Sequence, residues 1–371
     1  MLGLSYHILR VAKIPIKVHW TFGFFFLWIA YIGNKSGMTT IGIARLCLFA
    51  LVLFFCVVLH ELGHALTARK YGVQTKDIII SPIGGVARLM QMPDKPKQEL
   101  IIAIAGPAVN FIIAVVLGAI LVTFTRQGLM PIGDPQRVFD YGPNFFPTLF
   151  LLNAALIVFN LIPAFPMDGG RIFRALLAMK LGRKTATRWA SILGQSIAVL
   201  FFIGGIYRGD VILSLIGVFV FISAAGEYQM VLVDDLLQTQ SVDDVLRSNF
   251  TAISIDEPIS HAIDLYNQGQ EKDFIVIDQW GNIQGVLHQE FIEEAKKKND
   301  GESQVREYLS PSYEPISSTW RLSEVFRLFQ QKGYSIIPVY STEKMIGVVD
   351  RETLNQYLRR NSSMWRNWNF K

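Results

Sequence analysis

The sequence predicts a polytopic α-helical membrane domain followed by a soluble α/β repeat pair. Three observations carry that prediction. Six apolar stretches crowd into the first 231 residues, and only 18% of the chain is charged against about a quarter in soluble domains. Mean hydropathy is +0.33. The charge balance then reverses: residues 1–234 hold 20 Lys+Arg against 10 Asp+Glu, whereas residues 235–371 hold 15 against 20. Finally, the second part contains an internal repeat, with residues 251–268 aligning to 314–331 and 274–292 to 336–354. Domains are expected at 1–235 (membrane), 236–300 (first copy) and 301–371 (second copy and tail). These features exclude a disordered chain, a disulfide-rich secreted fold and a purely soluble enzyme. Cys47 and Cys56 share one apolar run and offer neither a disulfide framework nor a cysteine zinc cluster. The basic start, residues 1–20, has no small-residue cleavage site, so no removable signal peptide is read.

The six stretches lie near 18–33, 40–68, 99–125, 146–163, 189–207 and 211–231, each close to the roughly 20 residues that cross a bilayer. With a cytoplasmic N-terminus, the cytoplasmic segments carry fifteen Lys+Arg and the opposite loops five, namely Lys35, Arg45, Arg126, Arg137 and Arg208. The repeat pair then falls in the cytoplasm, at the cell membrane if the organism is prokaryotic. Basic loops beside apolar runs suit an anionic lipid bilayer, and no nucleic-acid partner is expected. Between the second and third stretches, residues 77–81 and 86–90 read as short β segments around a Pro-Ile-Gly-Gly turn, a short membrane-associated hairpin. Taken alone it reads as an ordinary surface hairpin.

The chemistry gathers at two places. His60-Glu61-Leu62-Gly63-His64 puts two imidazoles one helical turn apart, able to hold one Zn²⁺, with a carboxylate base beside them. Ionisable side chains inside a membrane domain are expensive and mark function. A third ligand candidate is Asp168, in Asn160-Leu-Ile-Pro-Ala-Phe-Pro-Met-Asp168-Gly-Gly, where two prolines end the fourth stretch. Taken by itself, Asp168 reads as a cap of the helix that follows, with Arg171 near it.

Together these residues resemble the site-2 protease family of intramembrane zinc metalloproteases. HELGH (60–64) stands at the family's zinc-binding motif, residues 160–170 at its Asn-x-x-Pro-x-x-Pro-x-Asp-Gly motif, and Gly106-Pro-Ala-Val-Asn110 at its glycine-proline-asparagine segment. Met167 departs from the commoner leucine, a volume-conserving change. The resemblance, over residues 1–230, implies one Zn²⁺ per chain on His60, His64 and Asp168, with Glu61 as catalytic base and Asn160 holding substrate backbone. It implies hydrolysis of peptide bonds within or near transmembrane segments of membrane-protein substrates. Gly84, Gly85 and Val86 are the candidate substrate-binding residues of the hairpin, whose edge could pair with an unwound substrate. Residues 14–22 resemble the opening of the first span in members with a C-terminal regulatory domain; His19 there reads as an interfacial histidine rather than a fourth ligand.

The repeat resembles a tandem pair of cystathionine-β-synthase (CBS) domains, with Gly285 and Gly347 equivalent. This implies regulation of the protease, an adenine nucleotide as ligand, and a homodimer through the pair. Nucleotide-binding copies often place a hydroxyl three residues after that glycine and a carboxylate three further on. Here those positions are His288 and Phe291, then Asp350 and Thr353, which leaves Asp350 as the cofactor-binding candidate. The tail aromatics Trp365, Trp368 and Phe370 are expected to pack on the pair or to touch the membrane. Two readings compete with a protease: a zinc transporter, which has no use for Glu61 as a base, and an inactive membrane scaffold or sensor, which needs no intact ligands.

Overall fold

A computed structural model describes residues 5–82, 84–90, 93, 95–124, 145–269, 271–310, 313–342 and 344–361. The tail aromatics and Arg126 and Arg137 lie outside the described residues. The chain divides into two compact units, Met1–Tyr228 and Gln229–Lys371.

In the first unit, β1 (Ser5–Val11) and β2 (Ile14–His19) form a hairpin turned by Ala12 and Lys13, both at positive φ as a two-residue turn requires. β2 pairs in parallel with β3 (Thr75–Ser81), which pairs antiparallel with β4 (Gly84–Leu89). The sheet order is β1-β2-β3-β4. Residues 14–19 are therefore a strand, not the opening of a span. The apolar residues there alternate: Ile14 and Ile16 are buried while Pro15 and Lys17 are less so, a period-two pattern. Helix α1 begins only at Thr21 and ends at Lys35.

Helix α2 (Thr40–Lys70) starts at a Thr39 side chain that accepts the Gly42 amide at 3.1 Å and ends on Arg69 and Lys70. Then come α3 (Pro96–Phe124), α4 (Phe145–Leu161), α5 (Asp168–Leu181), α6 (Arg183–Arg208) and α7 (Val211–Thr239). Each of the six apolar stretches falls on a helix. Among the described residues, four helices (α2, α3, α6 and α7) are long and apolar enough to cross a membrane, while α4 is a shorter apolar helix and α1 has 15 residues. One face of the sheet packs on α2: Ile14, Ile16, Ile78 and Ile80 share a core with Leu62, Ala65 and Phe22.

The second unit holds the two repeat copies. The first runs β5 (Ala252–Ser254), α8 (Ile259–Asn267), β6 (Phe274–Ile277), β7 (Ile283–Leu287), α9 (Gln289–Lys298). The second runs β8 (Ile316–Ser317), α10 (Leu322–Lys332), β9 (Ile336–Ser341), β10 (Lys344–Asp350), α11 (Arg351–Asn361). Each copy also borrows from outside its own span. Val242 and Val245 lie in the core of the second copy, together with Val233 and Leu237, whereas Val305 lies in the core of the first. Bridges Arg247↔Val348 and Val286↔Ser310 repeat this exchange on the backbone, beside the equivalent glycines.

Candidate active site

His60 and His64, four residues apart on α2, face the same way with ring centroids 4.8 Å apart. Asp168 comes to them from the start of α5. Its Oδ2 lies 3.1 Å from His60 Nε2 and 3.2 Å from His64 Nε2, and the two Nε2 atoms are 3.1 Å apart. All three side chains are buried. His64 Nδ1 donates to the Ile102 carbonyl at 2.7 Å, which fixes the tautomer and leaves Nε2 as a lone pair. Three ligand atoms thus converge, two nitrogens and a carboxylate oxygen, the donor set of a catalytic zinc site.

The backbone around the cluster makes room for an ion. A Cβ on Gly106 would lie 2.1 Å from His64 Nε2 and 2.6 Å from His60 Nε2, so this turn of α3 can only be glycine. After Leu161 the chain bends through residues 162–167, with a cis Phe165–Pro166 peptide, before α5 begins at Asp168. Gly169 and Gly170 follow Asp168 directly in the sequence. Both are helical, and a Cβ on either would meet the backbone of the bend, 2.3 Å from the Ile162 oxygen and 2.6 Å from the Ala164 carbonyl carbon. Their smallness lets the bend close on the helix that carries Asp168.

Glu61 lies against strand β4. Its Oε2 accepts the Ala87 N–H at 2.9 Å, and a Cβ on Gly85 would stand 2.9 Å from Glu61 Cγ. The hairpin therefore sits on the metal helix. Gly84 has φ +143°, Val86 is exposed, and Asn160 is half-buried on the last turn of α4. His19 caps α1 locally, its Nδ1 2.7 Å from Thr21 Oγ1.

Two ion networks escaped the sequence reading. Arg174 is fully buried, with Nε donating to Glu99 at 2.7 Å, Nη1 donating to Glu227 at 3.1 Å, and the guanidinium 5.0 Å from the centre of the Phe165 ring. It joins α3, α5, α7 and the bend. On the sheet, the fully buried Asp77 accepts from Arg88 at 2.5 and 2.6 Å and from Lys17 at 2.9 Å. The Arg88 guanidinium, then Lys17, holds the Asp77 carboxyl below the usual carboxylate range despite its burial. The signal was present in the hairpin itself, where Asp77 and Arg88 fall directly opposite each other.

In the second unit, Asp350 lines a cleft of about 750 Å³ together with Arg247, Asp273, Ser335 and Thr353. Asp350 accepts the Thr353 amide at 2.6 Å and the Thr353 hydroxyl at 3.0 Å. The hydroxyl–carboxylate pair that the sequence order denied to this copy is present, with its two members exchanged along the helix turn. In the first copy His288 Nδ1 meets Ser335 Oγ at 2.8 Å.

Comparison with known proteins fixes the family. The Peptidase family M50 profile matches residues 48–135 and 132–204, spanning all the residues of the convergent site, and the CBS domain profile matches residues 305–360. Zinc metalloprotease MJ0392 of Methanocaldococcus jannaschii is 35% identical over 329 residues, 88% of each chain. The chain belongs to peptidase family M50, the site-2 proteases. It is a membrane zinc metalloendopeptidase with a CBS domain, and of the readings the sequence left open the protease is the one its relatives bear out. A further relative, putative zinc metalloprotease sll0528 of Synechocystis, is 27% identical over 326 residues, covering 84% of this chain and 82% of that one. Among solved structures, the site-2 protease from Methanocaldococcus jannaschii has 39% identity, covering 60% of this chain and 95% of that one, with a TM-score of 0.45.

Proposed function

We propose that this M50 protease cuts transmembrane segments of membrane-protein substrates near the cytoplasmic face, with its N-terminus and CBS pair in the cytoplasm. The convergence of His60, His64 and Asp168 beside Glu61 is the observation that carries the reading. His60, His64 and Asp168 would hold Zn²⁺, which when bound would supply a Lewis acid for the scissile carbonyl. Glu61 is the general base. With Oε2 engaged by the Ala87 amide, Oε1 accepts the proton of the attacking water and passes it to the leaving amine. Asn160 donates to substrate backbone. The unwound substrate lies as an added strand along β4, which ends the sheet, with Gly84, Gly85 and Val86 as its neighbours. Because the Ala87 amide serves Glu61, the edge groups offered to substrate start at Gly85, two residues earlier on the same side of the strand.

The CBS pair regulates cleavage through an adenine nucleotide in the cleft at Asp350, and through a homodimer of the pair. The test is Glu61→Gln in a reconstituted chain with a membrane reporter. Zinc content stays near one per chain while cleavage falls about 10²–10⁴-fold, the usual worth of a general base. Substantial remaining hydrolysis removes Glu61 from this role.

A further inference from the structure

The Glu61 carboxylate takes a hydrogen bond from a strand amide, and that strand is itself pinned by a buried ion triad. Ala87 N–H points away from β3 and onto Glu61 Oε2 at 2.9 Å. Gly85, two residues earlier on the same side, lies so close that a Cβ there would sit 2.9 Å from Glu61 Cγ and 3.0 Å from Val57 Cγ1. β4 therefore lies flat on the turn of α2 that carries the base. On the opposite side of the strand, Arg88 forks onto Asp77 of β3, its direct cross-strand partner, and Lys17 of β2 reaches the same carboxylate. Asp77 is fully buried, so a register slip of β4 would take the Arg88 fork from a buried carboxylate and leave it Lys17 alone.

We propose that the Ala87 amide is a positioning group for Glu61, and that Arg88, Asp77 and Lys17 are positioning residues that hold the strand in register. A free glutamate on a helix samples several rotamers. With Oε2 tied to a backbone donor that cannot itself titrate or rotate, Oε1 is presented in one direction. Because β2 belongs to the N-terminal hairpin, the lock joins a strand 44 residues earlier in the sequence (Lys17) to the base (Glu61) through two cross-strand contacts. The inference rests on the reading of Glu61 as the base, and its test separates the two.

The decisive variant is an amide-to-ester exchange at Ala87, which keeps the side chain and the strand geometry and removes only the N–H. In the full-length, zinc-loaded chain, kcat for a membrane reporter falls about 10- to 100-fold, the effect of a small misplacement of a catalytic group, with KM and zinc content unchanged. Arg88→Gln moves kcat in the same direction and Arg88→Lys restores part of it, since an ammonium keeps the charge on Asp77 but loses the fork. An unchanged kcat in the ester overturns the proposal. A raised KM at unchanged kcat overturns it too, by assigning the amide to substrate; zinc loss does so by assigning the strand to the metal ligands. Hydrogen exchange of residues 84–90 gives a readout free of activity: Glu61→Ala speeds exchange at Ala87, and equal rates overturn the clamp. A wild-type chain that holds zinc yet cuts no membrane substrate defeats the endopeptidase reading instead, and leaves the exchange experiment to decide the clamp.

Discussion

Asp168 and Asp350 both stand where a helix begins, each within sight of a glycine, and in the sequence each could be a cap or a ligand. The fold uses them in opposite ways. Asp350 accepts the amide and the hydroxyl of Thr353, three residues on, and so satisfies the first turn of α11. Asp168 is already inside its helix, behind Met167, which has no side-chain cap bond, and turns its Oδ2 away from the backbone toward two imidazoles. One carboxylate is engaged by its own helix and lies in an open cleft. The other is buried among donors from a helix more than a hundred residues away. A carboxylate that a helix does not need, yet buries, is held for something else.

Five substitutions break or sharpen that contrast. Asp168→Asn has the largest effect. Losing even an outer-shell partner costs about 10- to 100-fold in metal affinity, so exchanging the ligand for a neutral amide lowers zinc occupancy by more, and cleavage with it. Zinc content by atomic spectroscopy checks this, and full occupancy would return Asp168 to the class of Asp350. Next comes Arg174→Met, which leaves the buried Glu99 and the half-buried Glu227 without their cation. Breaking such a network costs about 3–5 kcal/mol, read as a lowered unfolding midpoint of the membrane unit. If zinc affinity falls in parallel, the frame positions Asp168; if it holds, the ligands do so unaided. Gly106→Ala follows, since its Cβ would need to displace both imidazoles at a cost of about 1–3 kcal/mol, seen as weaker zinc binding. Asp350→Ala is the mildest. It removes a cap worth about 1 kcal/mol from the second unit and leaves zinc content untouched. Asp350→Asn keeps the cap, so calorimetry of that variant with ATP, ADP and AMP isolates any part Asp350 plays in holding a sugar.

Much of the site was legible because its information is local. The spacing of His60 and His64 fixes two ligands on one helical face, and the prolines at 163 and 166 announce a bend before Asp168. Long-range placement was not legible in the same way. Residues 14–19 resemble the opening of a span in the sequence; it is their pairing with β1 on one side and β3 on the other that makes them a strand. Lys17, Arg88 and Arg174 count as topogenic charges in the sequence, yet each is paired with a carboxylate brought from another element. The Ala87 amide has no sequence signature, since every residue but proline carries one. Thr353 and Asp350 were read as a missing pair because a motif fixes their order, whereas a helix turn needs only their proximity.

The exchange of segments between the CBS copies has a consequence for synthesis. Val305 completes the core of the first copy, and Val242 and Val245 complete that of the second. During translation the first copy thus emerges without its closing residues, and the earliest of those emerging residues waits for a partner not yet made. A stop anywhere between residues 246 and 304 leaves the first core without Val305 and leaves Val242 and Val245 without the core they complete. Removing either copy alone therefore takes core residues from its neighbour as well.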